Sequence, residues 1–415
     1  MTKEITKEVD RLYRSVSGQL VTSLVSFFKL SNLQLAEDIV QNTFVAALNT
    51  WSQKGIPDDP VAWLFKVCKN KTINELKKKK NHFSEYNQSF VNNHHIQLEQ
   101  AFLASEIKDN QLRLLFAICH PAFSPKTRII LTLKTLNGFK VQEIAKGLGM
   151  KIAAVKKNLS RAKQLIKEKN LPLKVPFIMQ SKERLVSVHQ ILYLIFNEGY
   201  SASSGGVIIR KELCLEAIKL TSTLLEEHKI ANEETQALFA LMLFNIARFE
   251  ARTNLEGDLV ELEKQDRSLW DQELINQGIK HFNVSRKASS WSTYHFEAAI
   301  ASLHCTAKSF SDTNWHVILR LYDDLFKINP SPFVALNRNI ALFYTGKAEE
   351  AYVAISEIKG LETHHFYHAT LAKICSVLTK NEAALNHYLE ALKYTKIDTE
   401  KRFIKEKIDA LSRSN

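Results

Sequence analysis

The 415 residues suffice for roughly two to four domains, and they carry 56 Lys and Arg against 44 Asp and Glu. No apolar run reaches the about 18 residues of a membrane span, and the opening MTKEITKEVDRLYR lacks a signal-type apolar core, so a membrane-surface reading of the basic charge fits poorly. Cys68, Cys119, Cys214, Cys305 and Cys375 are scattered without a C-x-x-C pair, which argues against a disulfide framework or a zinc knuckle and for a reduced, cytoplasmic chain. The charge is unevenly placed. Residues 1–170 hold 27 Lys and Arg against 14 Asp and Glu, net +13, and the remainder holds 29 against 30, net −1. A basic N-terminal part joined to a neutral C-terminal part points to a polyanion-binding module followed by an interaction module.

The apolar periods are overwhelmingly 3 and 4, and only 12 Gly and 8 Pro interrupt them, so the fold class is all-α. Ser31 and Gln34, at capping-box spacing, open the helix LAEDIVQNTFVAALNTW. Its buried stripe is Ala36, Val40, Phe44, Ala47 and Trp51, with Glu37, Asp38, Gln41 and Asn42 pointing elsewhere. After the loop SQKGIPDDP, Asp59 and Pro60 form an N-cap and first-turn proline. The long helix that follows carries Lys66, Lys69, Asn70, Lys71, Asn74, Lys77 and Lys78 beside Trp63 and Phe65. Lysines at a helix end also serve solvation and the helix dipole, whereas aromatic and amide groups among them suit unstacked bases.

The polar stretch at 81–97 has no sustained period and reads as a linker. Between Lys140 and Lys169 a short helix, a turn containing Gly147 and Gly149, and a second helix follow one another. Ile152, Val155, Leu159, Ala162 and Ile166 form the second helix's buried stripe. Lys151, Lys156, Lys157, Asn158, Ser160, Arg161 and Lys163 lie off it, carrying phosphate and base-edge chemistry. The arrangement is that of a helix-turn-helix. NLPLKVPF at 170–177 stops the basic helix with two prolines.

In the C-terminal part, His189, Asn197, Glu198, Gly199 and Tyr200 lie close in sequence. A general base among them would need a nucleophile, metal set or phosphate loop, and none accompanies them, so Glu198 and Tyr200 read as buried polar groups stapling a loop. His364, His365 and His368 include an i, i+4 pair without an evident third metal ligand. Gln265, Asp266, Arg267 and Trp270 read as a polar-plus-aromatic helix face, either an inter-domain seam or a partner surface. The segments 333–358 and 366–394 repeat one pattern, with Glu350 and Ala384 34 apart, the tetratricopeptide period.

AEDIVQNTF, SQKGIPDDP and WLFKVCKNKTINELKK resemble region 2 of a sigma-70 family RNA polymerase sigma factor. SPKTRIILTLKTLNGFKVQEIAKGLGMKIAAVKKNLSRAKQLIK resembles region 4. Their order, with a short linker and no region 3, is similar to the extracytoplasmic-function (ECF) type. The extension resembles that of a subgroup pairing an FNEGYS segment with tetratricopeptide-like helices. The resemblance implies region 2 at 1–80, a linker at 81–110, region 4 at 111–170, a second linker at 171–180, a helical extension at 181–300 and repeats at 301–415.

It assigns Asp38, Gln41 and Phe44 to docking on the polymerase β′ clamp, and Ser52 to Asp59 to capture of a flipped −10 base. Trp63, Lys66, Asn70, Lys71, Asn74 and Lys77 would face −10 DNA. Lys151, Lys156, Lys157, Asn158, Ser160 and Arg161 would face the −35 duplex. Asn42, Asn74 and Lys140 depart from the residues usual in the family. The implied partners are core RNA polymerase (β′ clamp and β flap), promoter DNA and a regulator or signal acting on the extension, for which Asn197, Glu198, Gly199, Tyr200, Asp266, Arg267 and Trp270 are candidates. No cofactor, metal, catalytic residue or membrane contact is implied, so the chain is expected not to be an enzyme. Two other readings stay open: a helix-turn-helix activator with a repeat-type sensor domain, and an enzyme tethered to nucleic acid.

Overall fold

The computed structural model describes residues 2–80, 97–98, 100–148, 150–171, 178–200, 211–227, 230–254, 258, 260–395 and 398–413. Among the described residues there are helices and no strand, and none of the helices is long and apolar enough to cross a membrane. The chain forms two compact units, Met1–Leu194 and Ile195–Asn415.

The first unit is organised by α1 (Thr2–Phe28). Ile5, Val9, Leu12, Val16, Leu20 and Leu24 make its buried stripe. It packs on α2 (Leu33–Lys54), α3 (Pro60–Lys80), α4 (Ala104–Ile118) and α5 (Pro125–Thr135). Then come α6 (Val141–Gly147) and α7 (Ile152–Glu168), which pack on each other and on α5. At one point α1 meets the backbone directly. Gly18 lies against the Leu136 carbonyl, and Gly138, at φ +65°, lies against the Ser17 hydroxyl. A Cβ at either glycine would collide, so their bareness permits the approach of α1 to the end of α5.

Several expectations are corrected here. No capping box forms at Ser31. Residues Leu30–Asn32 make a turn of 3-10 helix, and Asn32 precedes α2 without a side-chain cap. Its amide donates instead to the Phe28 carbonyl at 2.6 Å, and Gln34 is drawn to Asp38 at 2.7 Å. Asp59 does cap α3, accepting from the Ala62 N–H at 2.9 Å. The 81–110 segment includes the first turns of α4, and residues 81–96 lie outside the described ones. Ile152 is 45% exposed, because as the first residue of α7 its side chain leans toward the helix N-terminus, beyond its packing neighbours. Gly147 is the last helical residue of α6, while Gly149 lies outside the described residues. The 171–180 boundary overlaps α8 (Ile178–Tyr200), and the division between units falls within that helix.

The second unit is centred on α10 (Glu233–Ile246), where every residue from Ala237 to Phe244 is buried. A helix apolar all round must be enclosed, and α9 (Lys211–Glu226), α11 (Gln272–Ser285) and α12 (Thr293–Thr306) pack on it. Helical hairpins follow: α13 (Trp315–Ile328) against α14 (Pro332–Tyr344), α14 against α15 (Ala348–Ser356), and α16 (His365–Val377) against α17 (Asn381–Tyr394). Asn314 and Ser331 cap α13 and α14, accepting from Val317 and Val334. The pairs α14–α15 and α16–α17 start 33 residues apart, at Pro332 and His365 and at Ala348 and Asn381. The equivalent small residues are therefore Ala351 and Ala384, both fully buried, rather than Glu350, which is exposed and pairs with Lys347. The final helix α18 (Asp398–Arg413) covers the last hairpin through Ile404. The 300/301 boundary runs through α12.

Candidate nucleic-acid interface

In α3, Leu64, Cys68 and Thr72 face inward, and the opposite side presents Lys66, Asn70, Asn74 and Lys77 to solvent. Trp63 is half-buried, its ring edge-on to the fully buried Trp51 at 5.3 Å. One indole is thus fixed at the start of a cationic helix face, the arrangement that stacks or wedges against bases. Lys71 and Asn74 share a groove of about 630 Å³ with Asp38, Asn42 and Lys78 between α2 and α3. The structure therefore brings residues expected to meet DNA next to one expected to meet polymerase. Asp38 and Gln41 are exposed, while Phe44, expected beside them, is buried edge-on against Tyr13 at 4.9 Å.

In α7 the buried stripe is Val155, Leu159, Ala162 and Ile166. Lys151, Lys156, Lys157, Ser160 and Arg161 are exposed. Asn158 is turned inward: its amide donates to the Ala154 carbonyl at 2.9 Å and its oxygen accepts from Thr127 on α5 at 3.4 Å. Lys163 is engaged too, its ammonium paired with Glu37 and bonded to Gln34 at 2.6 Å. Lys156 and Ser160 border a groove of about 470 Å³ against Leu30, Ser31 and Gln34. Two exposed pairs also tie α6 and its cap to α1, Arg14 to Glu143 at 2.7 Å and Lys140 to Asp10 at 2.9 Å. Lys140 begins α6 without a side-chain cap, and Glu143 supplies the reciprocal half of the motif by accepting from the Lys140 backbone N–H at 2.8 Å.

The C-terminal candidates lie in the second unit. Tyr200 stacks between Phe196 and Phe249, with the Arg252 guanidinium 3.7 Å above its ring. Arg252 also donates to the Tyr200 carbonyl at 2.6 Å. Gly199 is pressed against Cys214, where a Cβ would meet the sulfur at 2.7 Å. Asn197 and Glu198 are half-buried on the same turn of α8. The segment 265–270 is not a helix face. Short 3-10 turns span Leu262–Lys264 and Arg267–Leu269, the second capped by Asp266. Trp270 is buried beneath the guanidiniums of Arg267 at 4.4 Å and Arg248 at 5.2 Å. Arg267 donates to the carbonyls of His304 and Ala307 at the end of α12.

Of the three histidines, His364 caps α16, His365 lies 3.3 Å from Glu400, and His368 meets the Glu362 carbonyl at 2.8 Å. Arg248, Arg252, His304 and Lys373 escaped the sequence reading. The visible signal was two arginines at i, i+4 shortly after the apolar run Ala237 to Phe244 of α10.

Residues 12–82 match the family described as Sigma-70 region 2, and residues 119–166 that described as Sigma-70, region 4. Residues 184–286 match a family of unknown function (DUF6596). An uncharacterized protein of Rhizobium meliloti (strain 1021) is 31% identical over 409 residues, covering 97% of this chain and 96% of its own length. No solved structure matches. With exposed cationic faces on α3 and α7 inside the two matched regions, in that order, the chain belongs to the sigma-70 family.

Proposed function

We propose that this sigma-70 family protein is a promoter-specificity factor of the ECF type, whose tetratricopeptide-like extension regulates its activity in cis. The carrying observation is the pair of exposed faces in one unit, Trp63 with Lys66, Asn70, Asn74 and Lys77 on α3, and Lys151, Lys156, Lys157, Ser160 and Arg161 on α7. Trapping an unstacked base costs a few kcal/mol and needs an aromatic platform with a cationic track. Holding the upstream duplex needs a major-groove helix with phosphate anchors. The first description fits α3 and the second fits α7. Region 2 followed in order by region 4 supports the ECF type. The 33-residue recurrence of hairpins with buried alanines at equivalent positions supports the repeat reading of the extension.

Run-off transcription with purified core polymerase, the full chain and randomised promoter DNA tests this function. Initiation dependent on the chain, with one enriched promoter class, is the expected outcome. Duplex binding without initiation would move the helix-turn-helix activator reading ahead.

A further inference from the structure

The second unit holds a partly open cavity of about 480 Å³ that the promoter reading leaves unused. Ligand sites run to roughly 300–1,000 Å³, apolar in most of their lining with a few convergent polar groups. This one follows that pattern. Trp315 and Tyr344 stack at 4.3 Å in its wall, with Phe310 edge-on to Tyr344 at 5.1 Å.

The charges in the wall are unequally satisfied. Glu263 accepts from Lys373 at 2.8 Å and from Tyr344 at 2.6 Å, and Glu261 pairs with Lys407 at 2.8 Å. Glu400 lies 3.3 Å from His365. Glu261 and Glu263 thus have their cations, whereas Glu400 has only a histidine beside it and its Oε2 is buried without a hydrogen-bond partner. The guanidiniums do not have carboxylates: among the described residues Arg248, Arg252 and Arg267 form no ion pair. Arg252 is held by the Tyr200 carbonyl, and Arg267, just behind the wall, by the carbonyls ending α12. Beside its contact with the Trp270 ring, Arg248 makes one hydrogen bond, 3.3 Å to Gln265, and its Nε is buried with no partner. The Nδ1 of His304, another cavity residue, is likewise buried and unpartnered. Arg248 is half-buried, and a partly desolvated guanidinium without a carboxylate is stabilised when an anion completes it, its fork fitting a planar oxyanion in two parallel hydrogen bonds.

We propose that this cavity binds a small organic monoanion, a carboxylate on a flat apolar body, with the carboxylate on Arg248 and the body against Trp315 and Tyr344. A dianion fits less well, since Glu261, Glu263 and Glu400 line the same cavity and would repel the second charge. The polar residues around Gly199 and Trp270 then acquire a role, which is to hold Arg252 and Arg248 in place.

The test is isothermal titration of the full chain, without polymerase or DNA, with 2-naphthoate, neutral 2-naphthalenemethanol and inorganic phosphate. Its result is therefore separate from that of the transcription assay. One equivalent of naphthoate should bind, with the alcohol and phosphate each weaker by about tenfold or more. Arg248→Gln should weaken naphthoate by a similar factor and Arg248→Lys partly restore it, while exposed Arg320→Gln should leave it unchanged. No heat with naphthoate, equal affinity for acid and alcohol, or an Arg248→Gln isotherm like that of the parent would overturn the proposal. The acid-against-alcohol comparison uses the unmodified chain and so stands even if Arg248→Gln fails to fold.

Discussion

His304 shows how one buried group links structure to pH. Burial, helped by Arg248 and Arg267, pushes its pKa from 6.5 down to about 3. The unfolded chain takes up a proton near the ordinary histidine value and the folded chain does not. Stability from this group is therefore complete above 6.5 and falls as the pH drops toward 3, by up to about 1.4 kcal/mol per pH unit. His304→Phe should flatten that acid limb of the urea midpoint against pH, while an unaltered limb would mean other groups set it. Nothing about His304 in the sequence marks it, because its environment is assembled from residues 248, 267 and 315. By contrast, the exposure of Lys156, Lys157 and Arg161 was legible, since a surface helix with a clean apolar stripe turns most of its other side to solvent. Asn158 and Lys163 belong to that same side by helical spacing, yet partners on α5 and α2 engage them.

Among elements, periodicity located the helices and misjudged their ends. Helix starts depend on which donor finds an acceptor, so Asp59 acts as the spacing requires while Ser31 loses its role to a 3-10 turn. The junction of α1 with the end of α5 illustrates what local patterns omit. Gly18 sits mid-helix, where propensity alone counts it a defect of about 1 kcal/mol. Its use is the direct approach to the Leu136 carbonyl. Gly18→Ala should therefore destabilise the chain by about 1–3 kcal/mol instead of stabilising it, because the obstacle is backbone and cannot rotate away. An increased urea midpoint would show that the two segments yield easily. The repeat register is a similar case. A 34-residue period was read from the sequence, but the observed hairpins recur at 33, aligning Ala351 with Ala384.

At the scale of the molecule, the excess charge lies in the first 170 residues and the cavity in the second unit. Affinity for duplex DNA should depend on salt mainly through the first unit. Replacing Lys156 and Lys157 by Gln should reduce the log–log salt slope by about 2. The same change at exposed Lys219 and Lys280 should leave it as it was, and equal losses from both pairs would contradict the assignment of α7 to DNA. The all-α class, the ordered sigma regions and the solvent-facing lysines were written in the sequence by itself, because helix period and charge are local properties that survive any packing. Tertiary structure alone decided the rest: Phe44 behind its surface, Lys163 paired across to α2, and Arg248 left without an acid in a cavity walled by Trp315 and Tyr344. Whether a charged side chain is paired, buried or free depends on residues far away in sequence, and only the packed chain brings them within hydrogen-bonding distance.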